Sequence, residues 1–553
     1  MRPVPLGLHE VDGTGVSELG TTTQPLLSHQ NSGGSEHSVS RQPSASSQTS
    51  CVVISRFGLL EEPHSLPSSP IVKNLSPSED AADPLAKMFA GESVDSQKSP
   101  SVIEIPSPWY ERLLSMARKQ LAFTGPGWLM SVAYIDPGNL EADLQCGAQY
   151  GYMLLWVLLW STTIGLGMQL VAARLGCATR RHLAEHCREH YSPPARITLW
   201  ILTEFAIIGS DIQEVIGCSI GLQMLLGLPL AAGVVVTAVA AFGFLFIERL
   251  GTRPLELFFG ALILTLALSM GGLFTVIAPD RNAVLEGLVL PRLPASALQY
   301  AVGMVGCIIM PHNLFLHSAL VQSRVVRIGE EREAVFLFAV ESSAAIFTSL
   351  LINAAVIAVF AKGFFGSPGA ADIGLRNAGN YLGDAFGAPL KVIWALGLVA
   401  AGQSSTMTGA YAGQWVMQGY LQLQVKPWKR AIITRSMALV PTLTVAIYFG
   451  GGNTGLDVLN SYLNVLQSLV LPFAVVPLLT FAGARCIMGE LVLGPMALVA
   501  CWCATALVMG ANMFLLVLQF GPLMDIGGLI ACIVVYFAAI AWVAWLPRRA
   551  GNC

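Results

Sequence analysis

Polar and apolar positions divide this chain at about residue 120. Residues 1–107 are rich in Ser, Pro, Gln, Gly and Glu. Such a segment buries too little apolar surface to offset its ordering entropy, so a disordered tail is predicted. Beyond it, apolar stretches long enough to span about 30 Å of hydrocarbon recur to the end. Twelve are predicted: 122–147, 153–175, 197–226, 231–247, 255–277, 299–322, 334–361, 389–418, 431–449, 457–482, 492–518 and 526–546. The expected fold is an all-α polytopic membrane protein, with a membrane domain over 108–547 and a short tail over 548–553. Residues 1–20 lack the apolar core of a signal peptide, so the first span is expected to direct insertion.

Two spans are interrupted by a common pattern. The first contains Asp136-Pro-Gly-Asn139 and the sixth Met310-Pro-His312-Asn313. Proline removes a helix donor and clashes with the preceding turn, and Gly138 adds backbone freedom. Each span is predicted to break into two half-helices. Broken backbone at membrane depth survives only where protein or a cavity surrounds it. Interruptions at matching positions of two halves mark the substrate site of many carriers. The breaks lie five spans apart, which predicts two five-helix repeats of inverted topology followed by two extra helices.

Composition sharpens this picture. Charged residues make up 12% of the chain and apolar ones 54%, against about 25% charged in a soluble protein. The net charge of −3 gives no reason to expect a nucleic-acid partner. The 11 cysteines show no metal-finger or disulfide spacing and read as small buried side chains. Lys and Arg crowd alternate loops, among them Arg180, Arg181, Arg188, Arg249, Arg324, Arg327 and Arg485. By the positive-inside rule both termini are cytoplasmic.

The chemistry follows from charge cost. A carboxylate at mid-membrane costs about 2.5–3.5 kcal/mol on insertion scales. Asp136 has no Lys or Arg in its own span, so a cation is its natural partner. Asn139 offers a neutral oxygen one turn on. The thioether of Met310 suits transition ions better than Mg²⁺ or Ca²⁺, which prefer hard oxygens. In the third span, Glu204, Asp211 and Glu214 fall roughly on one helix face and should line a polar route. His312 and His317 are candidate proton relays, or hydrogen-bonded structural residues. Arg430 and Arg435 read equally as partners of the acids or as membrane anchors. Glu341 is an intramembrane charge without an assigned role. No nucleophile–base set or nucleotide loop suggests an enzyme.

These segments resemble the natural resistance-associated macrophage protein (Nramp) family of metal–proton symporters. The likeness also rests on Gly125-Pro-Gly, on the run Gly209–Gly217 and on the run Gly402–Gly409, and it covers about residues 107–547. It implies a leucine-transporter-like fold and uptake of Mn²⁺ or Fe²⁺ towards the cytosol, with Cd²⁺, Co²⁺ and Zn²⁺ as chemically similar cargo. It implies no cofactor and a monomer. By position, Asp136, Asn139 and Met310 match metal ligands, and Asp136 would also carry the coupled proton. Cys307 stands where Ala is commoner, at a position that ligates through its carbonyl. An amide of the tenth span completes the set, with Asn464 the better match and Gln467 the reserve. The third-span acids match the family's proton route. The run Met310–Arg324 is similar to plant vacuolar-type members, which points to an endomembrane address. The alternatives are a hard-ion or amino-acid carrier on the same fold, and a non-transporting metal sensor.

Overall fold

Helix occupies each of the twelve apolar stretches in the computed structural model, which describes residues 118–249, 252–422, 427–448, 454–521 and 525–545. No strand occurs among the described residues. The expectations for the tails over 1–107 and 548–553 lie outside them.

A helix α1 runs through the described residues 118–123. The first span then divides into α2 (Pro126–Val132) and α3 (Pro137–Tyr150). The chain continues through α4 (Leu155–Thr179), α5 (Leu183–His190), α6 (Pro193–Leu226), α7 (Leu230–Arg249), α8 (Thr252–Ile277) and α9 (Arg281–Val289). The sixth span divides into α10 (Leu298–Ile308) and α11 (Pro311–Leu320). The second half holds α12 (Glu331–Phe364), α13 (Leu375–Phe386), α14 (Ala388–Leu421), α15 (Pro427–Tyr448), α16 (Thr454–Ala482), α17 (Arg485–Met488), α18 (Pro495–Phe520) and α19 (Ile526–Trp545). Among the described residues, 8 helices are long and apolar enough to cross a membrane by length and composition. The first span is not one of them because its pieces are 7 and 14 residues long. The short helices α5, α9 and α13 stand where the apolar pattern marks only connections.

Both discontinuous spans pack inside the other helices. α12 lies along α2, α3 and α4, while α14 runs against α6 and α8. The sixth span is buried over most of its length, which is the setting that interrupted backbone requires. Close approach sets the site's position. A Cβ on Gly217 of α6 would lie 2.2 Å from the Pro137 Cβ. One on Gly306 of α10 would lie 2.0 Å from the Ser468 Oγ of α16. At Gly217 only glycine clears the rigid proline ring, while at Gly306 a larger residue would have to displace the Ser468 hydroxyl.

Glu341 acquires a role that the sequence withholds. Its Oε1 accepts hydrogen bonds from the backbone N of Gly125 at 2.5 Å and of Gly127 at 3.0 Å. Arg324 Nη2 donates to the Thr124 carbonyl at 2.7 Å beside it. The amides at the start of a helix have no partner within it, so a carboxylate from α12 caps α2. Glu341→Ala is expected to cost about 1–3 kcal/mol, the usual penalty for stranding buried donors. Glu341→Gln, which keeps an acceptor, should recover part of it. Thermal unfolding of the purified protein checks this, and an unchanged midpoint for the alanine variant would refute the capping role.

Candidate metal centre

The two breaks share one local geometry. Asp136 is the N-cap of α3 with extended backbone (φ −72°, ψ 166°), followed by Pro137. Met310 is the N-cap of α11 with φ −85° and ψ 132°, followed by Pro311. A residue before proline is driven out of the helical region, and proline suits the first helical position. Each proline also deletes the amide that the carbonyl four residues earlier would have bonded. Those carbonyls belong to Ala133 and Cys307. α12 holds the first break in place: Ser349 Oγ donates to the Ser131 carbonyl at 2.9 Å, and Asn353 Nδ2 donates to the Tyr134 carbonyl at 2.7 Å.

Oxygen atoms converge on the first break. Asp136 and Asn139 are each 1% exposed. Asp136 Oδ1 accepts from the Asn139 backbone N at 3.0 Å, while Asp136 Oδ2 and Asn139 Oδ1 are buried with no hydrogen-bond partner. Buried polar atoms are nearly always paired, so two orphaned oxygens one turn apart offer free acceptors to a ligand. A Cβ on Gly138 would lie 3.1 Å from Asp136 Oδ2 and 3.2 Å from Gln213 Nε2, so α6 reaches the same point.

Gln213 organises the amides of α16, and it was not singled out from the sequence. Its Nε2 donates to Asn460 Oδ1 at 2.6 Å and to Asn464 Oδ1 at 2.7 Å. Its Oε1 accepts from Gln467 Nε2 at 2.7 Å. Gln467 is fully buried and its Oε1 has no partner. The side-chain oxygen of Asn464 is already engaged, and Gln467 presents the open one. The only sequence signal for Gln213 is its place between Asp211 and Glu214.

Met310 is 3% exposed, yet it belongs to none of the apolar clusters that bury its neighbours Cys307, Ile308, Ile309 and Leu314. The Cys307 thiol donates to the Met304 carbonyl at 3.3 Å. That engages the sulfur with its own helix and leaves the backbone carbonyl as the available donor atom. Asp143, a second buried carboxylate of α3, is within charge interaction of both Asp136 and Cys307, and its Oδ2 has no hydrogen-bond partner. It was missed, although its spacing of two turns from Asp136 was legible.

The acids of α6 divide. Asp211 and Glu214 are buried. Ser210 Oγ donates to Glu214 Oε1 at 2.8 Å. Gly409 of α14 makes room for both, since a Cβ there would lie 2.9 Å from Asp211 Oδ1 and 3.5 Å from Glu214 Oε2. Glu204 is half-buried towards the start of α6 and accepts from Trp200 Nε1 at 3.0 Å. His317 is fully buried between Gln169 Oε1 at 2.8 Å and Ser342 Oγ at 3.4 Å. His312 is buried and its Nδ1 has no partner. The side chains of Arg430 and Arg435 lie outside the described residues.

Discontinuous helices that enclose buried, unpartnered oxygens define an integral, multi-pass membrane carrier of leucine-transporter-like architecture. A family profile described as "Natural resistance-associated macrophage protein-like" matches residues 127–518, and the chain belongs to that family. It is 49% identical over 444 residues to "Metal transporter Nramp2" of Populus trichocarpa, covering 79% of this chain and 82% of that relative. It is 52% identical over 407 residues to "Metal transporter Nramp3" of Arabidopsis thaliana, covering 72% and 80%. Among solved structures, a manganese transporter of Eremococcus coleocola superposes with a TM-score of 0.69 at 27% identity, over 82% of this chain and 98% of that one.

Proposed function

We propose that this protein moves Mn²⁺ and Fe²⁺ towards the cytosol by proton-coupled alternating access. The observation that carries the reading is the pair of buried oxygens, Asp136 Oδ2 and Asn139 Oδ1, left without partners at the first break. Asp136 supplies charge, and Asn139 and Gln467 supply neutral oxygens. Met310 supplies the thioether, and the prolines free the carbonyls of Cys307 and Ala133 from their helices, the latter keeping only a long contact from Asn139 Nδ2 at 3.5 Å. Asn464 serves indirectly, by holding Gln213. One carboxylate among neutral donors leaves part of a divalent charge uncompensated, which helps the ion to leave again. The names of the relatives support metal as the cargo.

Metal and proton compete for the Asp136 carboxylate. A proton released there passes to Asp211 and Glu214 of α6 and on towards Glu204. His312 is a further relay, and His317 orients its surroundings through Gln169. Arg430 is assigned to the exit of this route on the strength of its position in the sequence. The Lys and Arg bias of alternate loops supports cytoplasmic termini. An endomembrane location and a monomer complete the reading.

The test is ion flux into proteoliposomes loaded with a metal-sensitive dye. Mn²⁺ should enter under an inward proton gradient, and absence of a signal sinks the transport reading. Gly217→Ala probes the geometry. Its added methyl collides with Pro137, and overpacking of this kind costs about 1–3 kcal/mol. If that cost falls on the transport-competent state, uptake should fall by about five- to 100-fold, because 1.4 kcal/mol corresponds to a factor of ten. Uptake at the parental rate would show that the contact between α6 and the break is not needed.

A further inference from the structure

The run His186-Cys-Arg-Glu189-His190 plays no part in the transport site. It lies on α5, the short helix between α4 and α6. Residues spaced by three and four share one helix face. A ligand atom from each of His186, Glu189 and His190 lies within 4.8 Å of the others. Two histidines one turn apart on a helix, with a glutamate between them, form a recurrent zinc-binding pattern in which the histidines hold the metal and the glutamate acts as a base; here the glutamate is close enough to be a third ligand.

The hydrogen bonds prepare both imidazoles for ligation. Thr179 Oγ1 donates to the Leu175 carbonyl at 2.7 Å, so it accepts from His186 Nε2 at 2.8 Å. With the Arg181 carbonyl also 3.0 Å from that hydroxyl, this contact favours the tautomer that carries its proton on Nε2 and its lone pair on Nδ1. His186 is 3% exposed, and its Nδ1 is buried with no partner. His190 Nδ1 lies 3.0 Å from the His186 carbonyl, to which it can only donate, so its Nε2 keeps the lone pair. Metal-bound histidines typically donate their other ring N–H in this way. Both rings also rest on Phe481 at the end of α16, at 5.5 and 5.2 Å between centroids, which restrains their orientation. Glu189 is exposed and pairs with Arg181. Its other oxygen, Oε1, lies 4.0 Å from Arg188 Nη2, so binding an ion there would replace that looser contact while Oε2 keeps Arg181.

We propose that His186, Glu189 and His190 form a second divalent-metal site, outside the transport pathway, that takes a Zn²⁺-like ion with water in the fourth position. Two imidazoles and one carboxylate suit tetrahedral zinc. They bind Zn²⁺ and Co²⁺ more strongly than Mn²⁺, following the general order of affinities. Cargo manganese therefore does not saturate the site. All three ligands come from one helix. That helix also donates from Leu183 N to Ser318 Oγ of α11 and from Arg188 Nη1 to the Gly419 carbonyl of α14. An ion there would stiffen the brace between those two helices.

Zn²⁺ titration of the full-length purified protein by calorimetry tests the site, in an Asp136→Ala background that removes the proposed transport site. One Zn²⁺ equivalent should remain. His190→Ala and Glu189→Gln, each added to that background, should weaken it at least tenfold. X-ray absorption of the bound zinc should show imidazole ligands. The proposal fails if the background variant binds no Zn²⁺. It fails equally if Glu189→Gln, a surface change with little bearing on folding, and His190→Ala both leave the affinity within threefold. Loss of Mn²⁺ flux in proteoliposomes would overturn the transport reading and leave this site standing.

Discussion

Asp136→Ala should abolish measurable Mn²⁺ binding to the purified protein. Asp136 is the one charged residue among the proposed ligands, and its Oδ2 is buried without a partner. Removing groups that merely orient a metal ligand commonly costs up to about 100-fold in affinity. Removing the charged ligand itself should exceed that, or more than about 2.8 kcal/mol at 1.4 kcal/mol per factor of ten. The same carboxylate caps α3 by accepting from Asn139 N, so some lost binding could follow from fraying of that helix. Asp136→Asn separates the two effects. It keeps an N-cap oxygen, which is a favoured capping chemistry, and removes the charge. Calorimetry should find both variants silent, with the asparagine variant closer to the parental unfolding midpoint. Near-parental Mn²⁺ affinity in either one rules Asp136 out as the anchor.

Met310→Ala should change which ions are accepted more than how fast Mn²⁺ moves. A thioether adds to the binding of transition ions and almost nothing to that of Ca²⁺, which prefers hard oxygens. Replacing it with a methyl group leaves room for water, which serves Ca²⁺ at least as well. Discrimination against Ca²⁺ should fall by about tenfold or more, equivalent to 1.4 kcal/mol, while Mn²⁺ uptake falls less. Competition between the two ions in dye-loaded proteoliposomes gives the ratio directly. Unchanged rejection of Ca²⁺ would defeat the soft-ligand argument. In that case the buried sulfur is packing, a role that methionine fills well because it is flexible.

The breaks themselves were legible because their causes are local. Proline deletes a hydrogen bond wherever it occurs, and an aspartate before it at mid-membrane needs a partner whatever the tertiary fold. The Cys307 carbonyl was implied by the family resemblance, and the structure adds a local reason, since Pro311 at the start of α11 stands where that carbonyl's helical partner would be. The amides of α16 were not legible in this way. Asn464 and Gln467 sit one helical turn apart with the same chemistry, and choosing between them needs the position of Gln213, roughly 250 residues earlier. Glu341 stayed unexplained for the same reason, as its partners Gly125 and Gly127 are more than 200 positions away.

The sequence by itself determined the membrane class, the two interrupted spans, the acid and thioether at their centres, and the family. The class, the breaks and the acid rest on composition, on proline and on the cost of charge in hydrocarbon, and the family on the resemblance of its motifs; none of these depends on how helices pack. Tertiary structure alone decided which oxygens remain free. It engaged Asn464 Oδ1 and left Gln467 Oε1 without a partner, gave Glu341 its cap and aligned the histidines of α5 with Thr179 and Phe481. A hydrogen bond between distant helices uses up a donor or acceptor that looks available in sequence, and only the packed structure shows which ones are left.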